Sequence, residues 1–115
     1  MSLDFISLTE TYFRVWNSRV GADVAKLFEP TGTLRDWDIS VSGSKEVGDA
    51  CDGIYKAVPN IKIDILKIHV AKETSSVAAE ILVKLNDEAG TELKVTDVIE
   101  YSPSGKIVAL RAYKG

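Results

Sequence analysis

The sequence has one cysteine, Cys51, one histidine, His69, and only three prolines in 115 residues. A single thiol excludes an internal disulfide and any cysteine-rich metal site. His69 sits beside Lys67 at an outward strand position, so it reads as a surface side chain and no metal is expected. No apolar run comes near the roughly 18 residues that cross a bilayer, and no membrane partner is expected. The opening Met1-Ser2-Leu3-Asp4-Phe5-Ile6 carries an acid where a signal peptide has positive charge. The expected location is therefore cytoplasmic. Lys and Arg number 14 against 17 Asp and Glu, for a net charge of −3, and no basic stripe is present. Nucleic acid, whose phosphates must be met by clustered cations, is not an expected partner. Ser/Gly/Pro-rich tracts, like-charge blocks and repeats are also missing. One domain over residues 1–115 follows, with room for one core and one pocket.

What is present is a change of period along the chain. Phe5, Leu8, Tyr12, Val15 and Trp16 recur at helical spacing behind a Ser7–Glu10 capping box, with Ser2 or Asp4 as earlier starts. Gly21 interrupts the pattern, and Asp23 to Phe28 predicts a short second helix stopped by Pro30. Thr33 to Asp38 predicts a short strand with Leu34, Asp36 and Asp38 on one side. Ser44 caps a third helix whose stripe is Val47, Ala50, Cys51, Ile54, Tyr55 and Val58. After Pro59-Asn60 the period becomes two. Ile61, Ile63 and Ile65 alternate, and a bulge near Leu66-Lys67 restores the inward side with Ile68 and Val70. Val77 to Leu85, Leu93 to Tyr101 and Ile107 to Tyr113 complete four antiparallel strands, with turns at Asn86–Gly90 and Ser102–Gly105. Helices first and strands after predict an α+β domain: three N-terminal helices on a curved, mostly antiparallel sheet. An apolar pocket is expected where the two layers meet.

One residue breaks the pattern. Asp97 lies mid-strand among Leu93, Val95, Ile99 and Tyr101 on the face that should point inward. An ionised carboxylate there costs several kcal/mol unless paired, so burial should raise its pKa and keep it protonated. A neutral acid in an apolar cleft can donate a hydrogen bond to an oxygen gaining negative charge. A salt bridge to Arg111 or Arg35, or a register that turns Asp97 to solvent, would explain it without function. Asp36 shares a face with Leu34 and Asp38, which makes a paired-carboxylate site possible, although Asp-x-Asp alone is weak evidence for a metal. Cys51, with no basic neighbour, reads as a small buried hydrophobe.

The element order, together with Tyr12, Asp36 and Asp97, resembles the NTF2-like superfamily of cone-shaped, cystatin-like α+β domains. Within it the resemblance is to bacterial ketosteroid isomerases and SnoaL-like proteins. It is carried by Tyr12 to Asp36, with Asn17, Leu27-Phe28 and Arg35-Asp36, and by Asp97 to Gly115, with Ser104-Gly105-Lys106-Ile107-Val108 and Arg111-Ala112. The resemblance implies a cofactor-independent isomerase that shifts a double bond by proton transfer next to a carbonyl. It puts the general base on Asp36, an oxyanion-binding tyrosine on Tyr12 and a protonated oxyanion-binding acid on Asp97. The family's supporting tyrosine falls on Cys51, with Tyr55 one turn on as a substitute partner for Tyr12. The expected pocket walls are Val15, Trp16, Phe28, Leu34, Ile54, Tyr55, Ile63, Val83, Val95, Ile99, Leu110 and Ala112. Trp16 and Trp37 add bulk to that space, which points to an apolar substrate that is smaller than, or different from, a steroid. A SnoaL-like cyclase or hydrolase, or a non-catalytic small-molecule-binding domain, are the alternatives on the same scaffold. The resemblance also implies a homodimer through the outer sheet face, where Val98, Ala109 and Tyr113 offer apolar surface.

Overall fold

A computed structural model describes residues 2–115. Helix α1 spans Phe5–Trp16 and is capped by Asp4, whose carboxylate accepts from the Ser7 backbone N–H and hydroxyl, both at 3.0 Å. Its inward side is Thr9, Tyr12, Phe13 and Trp16. Compared with the sequence stripe, the face is rotated toward Phe13 and leaves Val15 half-buried. Helix α2 is shorter than predicted, Gly21–Ala25. The chain then enters strand β1 (Phe28–Arg35) instead of continuing as helix. The reason is long-range: the Ile107 N–H donates to the Leu27 carbonyl and Phe28 pairs with Ile107, so the last strand captures this segment. Pro30 falls where the register shifts, a place that needs no ladder N–H.

Strand β2 (Ser40–Ser42), which the sequence pattern misses, pairs with β1, and α3 runs Ser44–Ala57 behind a Gly43 cap. Four long strands follow: β3 (Lys62–Ala71), β4 (Ser76–Lys84), β5 (Glu92–Tyr101) and β6 (Ile107–Lys114). The six-stranded sheet has the order β2-β1-β6-β5-β4-β3, with β1 parallel to β6 and the other neighbours antiparallel. The expected bulge in β3 lies between Ile65 and Lys67. Beyond it Ile68 reaches the core, but Val70 is 38% exposed, because the strand's last residues run past the covered part of the sheet.

The helices are held at two places, one against the sheet and one against each other. The Asn17 amide pairs with Ile63 like a short strand, donating to its carbonyl at 2.9 Å and accepting from its N–H at 2.8 Å. Arg19 Nε donates to the Ile61 carbonyl alongside. At the second place α2 and α3 meet backbone to backbone through Gly21 and Gly48, and the Gly21 N–H donates to Asp52. A Cβ on Gly21 would overlap the Gly48 carbonyl oxygen and sit 2.6 Å from the Asp52 carboxyl carbon.

Gly21→Ala should therefore destabilise the fold by about 2 kcal/mol, since backbone has to move. A drop of roughly 10 °C in the thermal midpoint is expected for a domain of this size. Gly53→Ala, with nothing within 4 Å of the added Cβ in the middle of α3, should raise stability by about 0.5–1 kcal/mol. Thermal melts of the two variants check both signs.

Candidate functional site

The strand register places two carboxyl groups on one level of the sheet. Arg35 pairs with Arg111, so Asp36, the next residue, comes level with Ala112 on β6; Ala112 in turn pairs with Asp97 on β5. Paired residues share a face, and strands lie about 4.8 Å apart, so the two acid-bearing backbones are separated by roughly 10 Å. On its other side Asp97 pairs with Ala79 of β4. Small methyl side chains flank the acid on both neighbouring strands, and this leaves open space above it.

That space is a cavity of about 280 Å³ between sheet and helices. Tyr12, Cys51, Asp97 and Leu110 line it, as do Trp16, Ile54, Ile63, Val83, Val95, Leu34 and Ala112. Asp36, Trp37, Asp38 and Ile39 line it as well, from the loop that follows β1. Of the wall residues expected from sequence, four lie elsewhere. Phe28 is packed edge-on against the Tyr12 ring, Ile99 is sealed in the core, Val15 is half-buried off the inner face, and Tyr55 stacks on Trp16. Phe28 and Ile99 are thus core, and Tyr55 supports the wall from behind. The sequence reading left out Ile39, Val58, Ile61, Ile81, Leu85 and Leu93. Ile61, Ile81, Leu85 and Leu93 sat at inward strand positions and Val58 on the helical stripe, so the pattern held a signal for them. Ile39 follows a turn and carried none.

The turn itself explains the placement of Asp36. The predicted strand to Asp38 ends at Arg35, because the Asp36 carboxylate accepts from the backbone N–H groups of Asp38 at 2.7 Å and Ile39 at 2.6 Å. The Asp36 N–H closes the turn onto the Ile39 carbonyl at 2.8 Å. Both turn bonds use Oδ1, which leaves Oδ2 without a partner among the described residues and fixes the half-buried carboxylate beside the cavity.

Asp97 is 5% exposed and has no hydrogen bond or ion pair with any described residue. Neither of the cations considered for it is available. Arg111 faces the other side of the sheet, where it binds Glu100, and Arg35 is exposed. Burial pushes the Asp97 carboxyl up to about 7, and the charge of Asp36 acts in the same direction. Asp97 therefore keeps its proton to a much higher pH than an ordinary aspartate does. Tyr12 is also buried, with no hydrogen-bond partner among the described residues, and burial, followed by Cys51 and Asp97, raises its pKa well above the usual phenol value. The Tyr55 hydroxyl does not replace the supporting tyrosine: it donates to the Trp16 carbonyl at 2.8 Å. Cys51 is a buried thiol, pushed up to about 11 by burial. No buried polar side-chain atom among the described residues is sealed off without a partner, so the free groups of Tyr12 and Asp97 open onto the cavity. His69 is on the surface, paired with Glu80.

Because the folded state holds the Asp97 proton more tightly than the unfolded chain, this residue's burden on stability is absent below about pH 4. It grows through about pH 7 and then stays constant. The raised pKa corresponds to a cost on the order of 4 kcal/mol. Asp97→Asn should melt higher than the parent protein at about pH 8 and alongside it at about pH 4. Equal melting at both values would contradict a buried, unpaired carboxyl.

No protein-family model matches the sequence, and no curated protein matches it. Solved structures do. An NTF2-like protein of unknown function from Cytophaga hutchinsonii is 13% identical, with a TM-score of 0.79, over 100% of this chain and 93% of the other. A proposed isomerase of the SnoaL-like family from Agrobacterium tumefaciens is 13% identical, TM-score 0.80, over 96% and 97%. The epoxide hydrolase/cyclase-like enzyme SalBIII, with a role in pyran ring formation in the polyether salinomycin, is 19% identical, TM-score 0.81, over 96% and 90%. At these identities the shared property is architecture: the chain has the NTF2-like, or cystatin-like, α+β fold.

Proposed function

We propose that the protein catalyses proton transfer next to the carbonyl group of a compact, apolar small molecule, as a ketosteroid isomerase-like enzyme. The observation that carries this reading is Asp97, a protonatable carboxyl without a partner on the floor of an apolar cavity, level with the anchored Asp36 carboxylate. The substrate carbonyl oxygen would lie between the Tyr12 hydroxyl and protonated Asp97. Asp36 Oδ2 would take a proton from the adjacent carbon and return it elsewhere on the conjugated system. Charge moves from the base to the oxygen, where two donors are already in place and no water needs to reorganise. Two aspartates perform opposite tasks because one is tied to backbone N–H groups at the rim and the other is buried among methyl groups. A cavity of about 280 Å³ is at the lower end of the range for small-molecule sites, which favours one or two fused rings over four.

A cyclase or epoxide-opening reading has one observation in its favour. An acid and a base face one cavity about two strand spacings apart, which also suits protonation of an epoxide oxygen with removal of a hydroxyl proton. It needs Asp36 and Asp97 and does not need the Tyr12 phenol.

The test is conversion of a β,γ-unsaturated cyclohexenone, and of a steroid analogue, to the conjugated enone, followed by ultraviolet absorbance. Turnover should vanish in Asp36→Asn and fall about 10²–10³-fold in Tyr12→Phe and in Asp97→Leu. Since Asp97 must be protonated to donate, kcat/KM should decline as pH rises through about 7. Activity insensitive to Tyr12→Phe would favour the cyclase reading, and a lack of turnover on either ketone, with no exchange of their α-protons into deuterated water, would sink the enzyme assignment. We also propose that two copies pair through the outer sheet face around Val98, Ala109 and Tyr113. Sedimentation should give twice the chain mass, and Tyr113→Glu should halve it.

A further inference from the structure

The charges around the cavity are all of one sign. Asp97 lies on its floor, and Asp36 and Asp38 reach it from the loop after β1. None of the three forms an ion pair among the described residues. No Lys, Arg or His lines the space. Helix α1 contributes Tyr12 and α3 contributes Cys51, both kept neutral by burial. Strands β1, β3, β4 and β6 add only apolar side chains. Lys114 stands outside the lining, with its ammonium over the Trp37 ring at 5.2 Å from the centroid.

Water and salt meet acids on a surface, but Asp97 is not on one. It is 5% exposed and shares a strand face with Val95 and Leu93, which also line the cavity. No buried polar side-chain atom among the described residues is sealed off without a partner, so its carboxyl oxygens open onto that space. A buried carboxylate is stable when an opposite charge and hydrogen bonds replace its water, and this chain supplies neither.

We propose that the cavity also binds compact arylalkylammonium ions, with the ring in the apolar space, the cationic nitrogen on the Asp97 carboxylate, and Asp36 and Asp38 at the mouth. This binding goes beyond proton transfer and does not depend on it. That reaction uses protonated Asp97, whereas an ammonium selects the ionised form. The two acids at the mouth, Asp36 half-buried and Asp38 exposed, attract a cation and repel carboxylates and phosphates. Trp37 beside them holds the Lys114 ammonium over its ring, so this mouth accepts positive charge. A space of about 280 Å³ suits one or two rings. Below about pH 7 the ammonium must displace the Asp97 proton, and affinity falls as pH drops. Above it the carboxylate is ionised beforehand and affinity levels off.

Three indanes of similar size test the proposal: 2-aminoindane, 2-indanol and indane-2-carboxylate, with a positive charge, none and a negative one. Titration calorimetry on the full chain at about pH 8 should show the amine binding about tenfold more tightly than the alcohol, and the carboxylate most weakly. At about pH 5 the amine's advantage should shrink to about threefold or less, the share of Asp36 and Asp38. At about pH 6 the amine, and not the alcohol, should release protons, read as heats that differ between buffers of low and high ionisation enthalpy. Asp97→Asn should abolish that release and lower amine affinity about tenfold, with alcohol affinity within about threefold of the parent. The pH comparison on the parent protein stands even if the variant folds poorly. Equal affinity for amine and alcohol at pH 8 would overturn the proposal, as would an amine preference independent of pH and without proton release. Failure of all three indanes to bind would overturn it too. Turnover of the cyclohexenone alongside any of these results would leave the proton-transfer reading standing.

Discussion

Asp97 faces inward from the middle of a strand, and the interior is arranged around the consequences. On the same face Val95, Ile99 and Tyr101 are buried, and the acid receives neither a cation nor a backbone donor. Such a group burdens the folded state at neutral pH, by an amount comparable with a large part of a small domain's net stability. The fold tolerates it because the core around it is extensive. Phe13, Phe28, Ile81, Ile99, Ile107 and Leu110 are fully buried, each worth about 1.5–3 kcal/mol of transfer free energy. A leucine at this position would pack and stabilise. The protein instead holds a proton-binding site that water reaches poorly.

Position matters as much as burial. Asp36 comes within electrostatic range of Asp97 only because β1 lies beside β6, and that pairing joins residues some eighty positions apart in sequence. The link begins before the strand, at the Leu27 carbonyl, and continues through Phe28 and Leu34. Ala112 lies between the two acids and Ala79 on the far side. A larger residue at Ala112, which lines the cavity, would fill space between the two acids. Ala112 is as much a part of the site as the two carboxyls it lies between.

This contrast explains what could be read in the sequence and what could not. Alternation in β4 and β5 is strict, each strand is long, and the misfit of Asp97 follows from counting by twos. The β3 bulge is readable in the same way, from the slip at Leu66-Lys67. Locally, Asp23 to Phe28 has helical character; what decides against a helix there is a strand eighty residues later, which no local pattern contains. The turn at Asp36 depends on one side chain accepting from Asp38 and Ile39, and so the strand ends where alternation alone would extend it. Tyr55 illustrates the remaining gap. Its place on the α3 stripe is visible in the sequence, but the direction of its hydroxyl, toward Trp16 and away from Tyr12, depends on how two helices cross.

Tyr55 and Cys51 together change the character of Tyr12. A phenol that accepts a hydrogen bond from a second hydroxyl loses its proton more readily and donates more strongly to an oxyanion. Here the neighbouring position is a thiol, a weak donor that burial keeps protonated, and the nearest tyrosine hydroxyl is committed to the Trp16 backbone. In the proposed reaction Tyr12 would therefore donate as an isolated phenol whose pKa is raised, and more of the oxyanion's charge would fall to Asp97. Under that proposal the acid whose proton is the more easily shared would be the principal donor, and the burial that makes it costly to the fold would be what suits it to that role.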